Sequence, residues 1–285
     1  MTRSHPKTID REPFRGIETA VVLGSGLLGV IDGFPIEATY PFDRVDGVGR
    51  PDVPGHAGEF RRCRVSDRAC LFVCGRKHFY EGGADAIVSL LGFVRSAGVR
   101  RLLLTSAAGS LVKTIRPEEL VLVDDVLDFQ FRGPLSVVGG SNGAAAPVER
   151  PAGARSLDPG LLSGIAVSAA ETGVRLERGA AVTCAGPMYE SPAEIRALQQ
   201  TGASLVTMSG APEIALAGAM GIPTAMIGLV TNWASGITGD PLRHEDVLET
   251  AGTAVAKLRQ LVEKFVQLGP DPGANSGCGL PGQRV

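Results

Sequence analysis

Short apolar runs recur along the whole 285-residue chain, each closed by a turn of Gly, Ser or Ala and followed by an amphipathic stretch. Thr19–Leu23, Arg68–Cys74, Leu102–Thr105, Leu120–Val126, Ala180–Ala185, Leu205–Met208 and Thr224–Val230 are such runs. Apolar runs of this length bounded by turn residues read as buried strands. Helical stripes lie between them. Ile87, Leu90, Leu91 and Val94 share one face of 84–97, with Gly98 as a stop. Further helices are expected over 161–172, after Ser191, after Pro212, and over 245–265 along Val247, Ala251, Leu258, Leu261 and Phe265. Strand and helix alternate without a change of character, so the reading is an α/β fold of one domain over 17–268. A polar lead-in (1–16) and a Gly/Pro-rich tail (269–285), expected to be disordered, flank it. The stretch 133–160, rich in Gly, Ala, Pro and Ser, reads as a mobile loop. In such folds ligands collect at the carboxyl ends of strands, so the turns there are where function should lie.

The best-defined turn is Gly186–Glu194. Ser191 is an N-cap, Pro192 sits at the first helical position and Glu194 completes a capping box. A helix start fixed in this way holds Tyr189 and Glu190 still, and an aromatic face beside a fixed acceptor suits a flat, nitrogen-rich ring. After the first strand, Gly24-Ser25-Gly26-Leu27-Leu28-Gly29 fits G-x-G-x-x-G. A dinucleotide site needs a helix there and an acidic residue at the end of a second strand. Asp32-Gly33-Phe34-Pro35 cuts the helix short, and Asp43 and Asp46 sit in a Pro/Gly-rich loop, which favours a small-anion loop instead. His56 stands in a turn. Arg76 and His78 alternate and point the same way if the segment is extended, a pair of donors that suits phosphate, with Tyr80 continuing that face. Ser106-Ala107-Ala108-Gly109-Ser110 reads as a small-residue turn that lets a ligand lie against bare backbone, and Ser209 lies near a helix N-terminus.

Lys plus Arg is 28 and Asp plus Glu 30, a net charge of −2 that argues for neither a nucleic-acid nor a membrane surface. The five cysteines lack zinc spacing, and reduced, cytoplasmic thiols are expected. No signal peptide and no membrane span is read.

Seven segments taken in order resemble the trimeric purine nucleoside phosphorylases: Gly24–Gly26, Val53–Gly58, Gly75–Gly82, Ser106–Gly109, Gly186–Glu194, Met208-Ser209 and Thr231-Asn232. The match spans about Val21 to Phe265. The resemblance implies a mixed central β-sheet flanked by helices and a homotrimer of purine salvage. It implies phosphorolysis of inosine- or guanosine-type nucleosides to base and ribose 1-phosphate, with inorganic phosphate as co-substrate and no metal or cofactor. It places Ser25, Arg76, His78, the backbone around Ala107, and Ser209 on phosphate, with His56 beside it. Tyr80 and Met208 would meet the ribose, and Ala108 and Gly109 would border the nucleoside. Tyr189 would lie by the base, Glu190 and Asn232 would read the purine edge, and His244 would face the 5′-hydroxyl. Asn232 and Glu190 would stabilise charge on the leaving purine.

The chain departs from the family where Ser106 replaces a usual Asn, Ser110 a Gly, Gly210 a Thr and Ala211 a Val. In trimers of this family that region lends an aromatic to the neighbour's ribose site, but stretch 133–168 has none, so either that contact is missing or Phe129 or Phe131 substitutes. A 5′-methylthio-type nucleoside phosphorylase is the alternative within the fold. Asn232, where adenine-specific relatives carry Asp, and His244, where methylthio enzymes favour a small apolar residue, both argue for 6-oxopurine nucleosides. A catalytically weak nucleoside-binding or biosynthetic-cluster paralogue is an alternative of another functional class, and a dinucleotide-dependent oxidoreductase is the third.

Overall fold

The computed structural model describes residues 12–53, 55–130, 136–138, 145–147, 157–238 and 244–268. Eleven strands are assigned among them: β1 (Thr19–Leu23), β2 (Ile36–Pro41), β3 (Glu59–Val65), β4 (Arg68–Cys74), β5 (Arg101–Ser110), β6 (Leu120–Phe129), β7 (Ser136–Val138), β8 (Ala145–Pro147), β9 (Leu176–Cys184), β10 (Leu205–Thr207) and β11 (Thr224–Trp233). The helices are α1 (Phe79–Ser96), α2 (Pro159–Thr172), α3 (Pro192–Gln199), α4 (Ala211–Ala219) and α5 (His244–Gln267).

Nine strands form one mixed sheet in the order β10-β9-β6-β11-β5-β1-β4-β3-β2. β1 is parallel to both β4 and β5, and β5 is parallel to β11. β1 is buried along its whole length, as a central parallel strand covered on both faces must be. β6 runs antiparallel to β11 and β10 antiparallel to β5, while β9 is parallel to both β6 and β10. Because β10 pairs with β9 and also with β5, strands β5, β11, β6, β9 and β10 close on themselves. The remaining strands extend from β5 as an open wing. The fold is thus one mixed α/β domain.

The expected helix stripes are inward. Ile87, Leu90, Leu91 and Val94 of α1, and Leu258, Leu261 and Phe265 of α5, are all buried in the main core. Ile195 and Leu198 of α3 join a second cluster with Leu111, Val182 and Val206 inside the closed part of the sheet. Burying each such side chain contributes about 1.5–3 kcal/mol.

Three expectations are corrected. Ser106–Ser110 is not a turn: β5 runs unbroken to Ser110, held by β11 on one side and β10 on the other. Tyr80 does not continue an extended face, because α1 begins at Phe79 with His78 as its N-cap. Thr231 and Asn232 do not follow β11 but belong to it. β2 and β3, the outer antiparallel strands, are not anticipated in the sequence. Phe129 packs against the second cluster. Phe131, most of 133–160, the tail 269–285 and lead-in residues 1–11 lie outside the described residues.

Candidate functional site

Every candidate residue except His244 lines a single cavity of about 280 Å³, close to the lower end of the ~300–1,000 Å³ range of small-molecule sites. His244 opens α5, and its side chain lies outside the described residues.

One end of the cavity is cationic. Arg76 follows β4, where Gly75 adopts φ +105°. A Cβ at Gly75 would sit 2.6 Å from the Cβ of His56, so glycine lets the two segments meet. Arg76 is 3% exposed. Its Nη2 donates to the Thr105 carbonyl (2.6 Å), and its Nε lies 3.6 Å from Oε1 of Glu213, a pairing too long for a hydrogen bond. Among the described residues, nothing accepts from Nε or Nη1. Burial lowers the Arg76 pKa, and Glu213 opposes that shift. A buried guanidinium with two unsatisfied donor atoms brings uncompensated positive charge to this wall, which favours an anion.

His56 and Ser25 stand beside it. The Arg76 backbone N–H donates to His56 Nδ1 (2.9 Å), and His56 Nε2 lies 2.9 Å from Ser25 Oγ. The Arg76 carbonyl is 2.8 Å from the same Nδ1, so the tautomer follows whichever of the two groups Nδ1 engages. With Nδ1 as acceptor, Nε2–H donates to Ser25, and the Ser25 hydroxyl proton is free to point at a ligand. Burial, then Arg76 and His78, push the His56 pKa down to about 4, so the ring is neutral.

His78 is anchored by Glu81, a residue outside the sequence-predicted site. The Glu81 carboxylate accepts from the His78 N–H (2.7 Å), lies 2.8 Å from His78 Nδ1, and accepts from the Asp52 N–H (2.7 Å). Glu81 therefore caps the first turn of α1 through the His78 N–H and ties the Asp52 backbone to it. The signal was there to read, an acidic residue three positions after His78. Burial holds His78 below its ordinary pKa, opposed by its bond to Glu81. The Tyr80 ring stacks on His78, with centroids 5.1 Å apart and planes 7° from parallel.

The middle of the cavity is bare strand. β10 runs back along the C-terminal half of β5, with Val206 opposite Gly109. Met208 and Ser209 are thereby delivered beside Ser106 and Ala107. This is why residues inside β5, rather than at its end, line the cavity. Gly186, at φ +67°, closes the wall, since a Cβ there would lie 2.7 Å from Met208 Sδ and 2.8 Å from Tyr80 Cε1.

The far end carries a carboxylate and an amide. The expected capping box of α3 is present: Ser191 Oγ accepts from the Glu194 N–H, and Glu194 accepts from the Ser191 N–H. Burial raises the Glu190 pKa, partly offset by hydrogen bonds from its own backbone N–H and from the Cys184 thiol. In β11 a bulge places Val230 opposite Ala108 and Asn232 opposite Gly109, so Thr231 is the extra residue. The bulge re-aims Asn232 into the cavity. Thr231 Oγ1 donates to Asn232 Oδ1 (2.8 Å), and Asn232 Nδ2 donates to the Trp233 carbonyl (2.9 Å). These bonds fix the amide so that one N–H of Nδ2 remains for a ligand. Tyr189 is 41% exposed at the mouth.

The cavity can therefore hold an anion at one end and a planar, hydrogen-bonding ring at the other, with apolar and backbone surface between. Among the described residues, no group of three or more His, Cys, Asp or Glu side chains is gathered for a metal.

Residues 19–267 match the family model described as the phosphorylase superfamily. The purine nucleoside phosphorylase of Mycobacterium tuberculosis is 35% identical over 263 residues, covering 90% of this chain and 91% of its own length. A probable 6-oxopurine nucleoside phosphorylase of Moorella thermoacetica is 35% identical over 189 residues, 66% of this chain and 71% of its own. Among solved structures, a Schistosoma purine nucleoside phosphorylase in complex with guanosine superposes with a TM-score of 0.77 at 25% identity, over 91% of this chain and 92% of its own.

Proposed function

The chain belongs to the phosphorylase superfamily, and from that premise we propose that it is a purine nucleoside phosphorylase acting on inosine- and guanosine-type nucleosides. The observation that carries this reading is the polarity of the cavity: an under-satisfied buried guanidinium at one end, a carboxylate and a fixed amide at the other.

Phosphate sits among Ser25, Arg76, His78, the Ala107 backbone and Ser209, with His56 orienting Ser25. Held there, one phosphate oxygen faces C1′ of a ribose lying along Tyr80 and Met208. Ala108 and Gly109 border the nucleoside, Tyr189 packs beside the base, and His244 serves the 5′-hydroxyl. Attack on C1′ is concerted with departure of N9 through an oxocarbenium-like transition state, and the electrons of the C1′–N9 bond pass to the purine. The free N–H of Asn232 meets the charge growing at N7 and O6, and Glu190 accepts from N1–H. Donors fixed before the reaction are worth up to ~3–4 kcal/mol each at the transition state. Glu190 accepts most strongly when ionised, so burial that raises its pKa moves the acid limb of inosine turnover upward from the ordinary carboxylate value.

The proposed active form is a homotrimer, as the resemblance implies. The proposed compartment is the cytoplasm, where the buried thiols of Cys63, Cys70 and Cys74 would stay reduced. Phosphate is the only co-reactant the scheme requires. The test is release of hypoxanthine from inosine with and without phosphate, run beside guanosine, adenosine and a 5′-methylthio nucleoside. Strict phosphate dependence with inosine or guanosine preferred is the expected result. Preference for the methylthio substrate would displace the 6-oxopurine reading.

A further inference from the structure

Three hydroxyls meet in the cavity wall where this chain departs from its family. Ser106 Oγ is the centre: it lies 2.7 Å from Thr207 Oγ1, 3.1 Å from Ser209 Oγ and 3.0 Å from the Ala107 carbonyl. All three residues line the cavity and are at most 5% exposed. Thr207 Oγ1 also lies 3.3 Å from the Ala107 carbonyl. The Ser209 backbone is fixed separately, its carbonyl accepting from Thr183 Oγ1 (3.3 Å). Either oxygen in each hydroxyl pair can be the donor, so the proton direction is set by what stands at the two ends of the chain.

One direction reinforces an anion site. If Ser209 donates to Ser106 and Ser106 to the Ala107 carbonyl, Ser209 presents lone pairs to the cavity and repels a phosphate oxygen. If Thr207 donates to Ser106 and Ser106 to Ser209, the Ser209 proton is released to the cavity. Each bond in that second chain also polarises the next.

We propose that Thr207 and Ser106 act in series behind Ser209 as a reversible hydroxyl relay, turned outward by phosphate, and that Ser106 is a positioning residue for the anion. The proposal rests on the reading of the cavity as a phosphate site. The Ala107 carbonyl is the parking acceptor when no anion is present. Ser106 thus serves through Ser209, and Thr207 serves only through Ser106.

The series arrangement has a signature that loose packing lacks. Ser106→Ala should raise the KM for phosphate roughly three- to tenfold, the scale of one net hydrogen bond, with the KM for inosine little changed. Thr207→Val, which keeps shape and loses the hydroxyl, should raise the phosphate KM about two- to threefold, and Thr207→Ser should recover most of that loss. The double variant Ser106→Ala/Thr207→Val should be no worse than Ser106→Ala alone, since the first link has nothing left to act through. Phosphate binding by calorimetry is measured in parallel on all four proteins and the wild type, so the relay is read without turnover. An unchanged phosphate KM and affinity in Ser106→Ala, additive losses in the double variant, or equal rises in both KM values would overturn the relay while leaving an active wild type in place. A wild type that neither turns over inosine nor binds phosphate would overturn the function and the relay together.

Discussion

Glu213→Gln isolates the electrostatics of the anion end. In the wild type the Glu213 carboxylate does two things. Oε2 accepts from the Gly210 N–H at 2.9 Å, and Oε1 faces Arg76 Nε at 3.6 Å, with both side chains at most 4% exposed. Glutamine keeps an oxygen for Gly210 and removes only the charge. Arg76 is then buried with a single hydrogen-bonded contact, Nη2 to the Thr105 carbonyl. Breaking a buried pair by removing one partner costs about 3–5 kcal/mol. The lower figure applies here, because the gap exceeds hydrogen-bond length and the amide dipole remains. For a domain of this size about 3 kcal/mol corresponds to a fall of roughly 6–9 °C in Tm. Phosphate should reverse much of it, because the anion supplies the missing charge. A ligand at a hundredfold its Kd adds about 2.7 kcal/mol, and in Glu213→Gln the gain should exceed that of the wild type at equal phosphate. The assay is scanning calorimetry in phosphate-free buffer and across a phosphate series. A Tm equal to wild type without phosphate, or a phosphate response no larger than wild type, would refute the argument that Arg76 is held short of charge for an anion.

Asn232→Asp supplies an acceptor at the purine 6-position, so kcat/KM should fall for inosine and rise for adenosine. One altered hydrogen bond at ~1–3 kcal/mol implies a swing of about fivefold to a hundredfold in the ratio, and an unmoved ratio would remove Asn232 from the base. Gly186→Ala should raise the nucleoside KM, because the new Cβ collides with Met208 and Tyr80 at a positive φ, whereas the phosphate Kd should hold; steady-state and binding measurements together separate the two. Folded His56 has its pKa depressed to about 4, so below the unfolded value of ~6.5 the unfolded chain binds a proton that the native ring refuses. Its contribution to stability is complete above that value and is lost as pH falls from there toward 4; a Tm–pH profile that flattens in His56→Gln is the expected result, and an identical slope in the variant would contradict it.

The sequence is legible where local rules decide. The buried parallel strands read as apolar runs, and the α3 capping box is explicit from Ser191 to Glu194. What it hides is pairing between distant strands. The small residues of 106–110 look like a turn because nothing local shows that β10 will lie against them, yet that contact brings Met208 and Ser209 to the cavity. The outer strands β2 and β3 escape notice because their surfaces are ionic. Arg62 and Arg64 both bond to Glu37 there, so alternation in hydrophobicity is weak. The extra residue at Thr231 is equally silent, since a bulge is visible only once both partner strands are in register. Glu81 was within reach of sequence rules, whereas its bond to the Asp52 backbone required the fold.

The central claim is that the buried cation end holds phosphate as the nucleophile, not as a bystander. Phosphorus NMR of inosine and phosphate with the protein tests it directly. The account predicts a sugar-phosphate resonance growing in step with hypoxanthine and at the expense of inorganic phosphate. Hypoxanthine appearing with free ribose, with inorganic phosphate unconsumed, would contradict it.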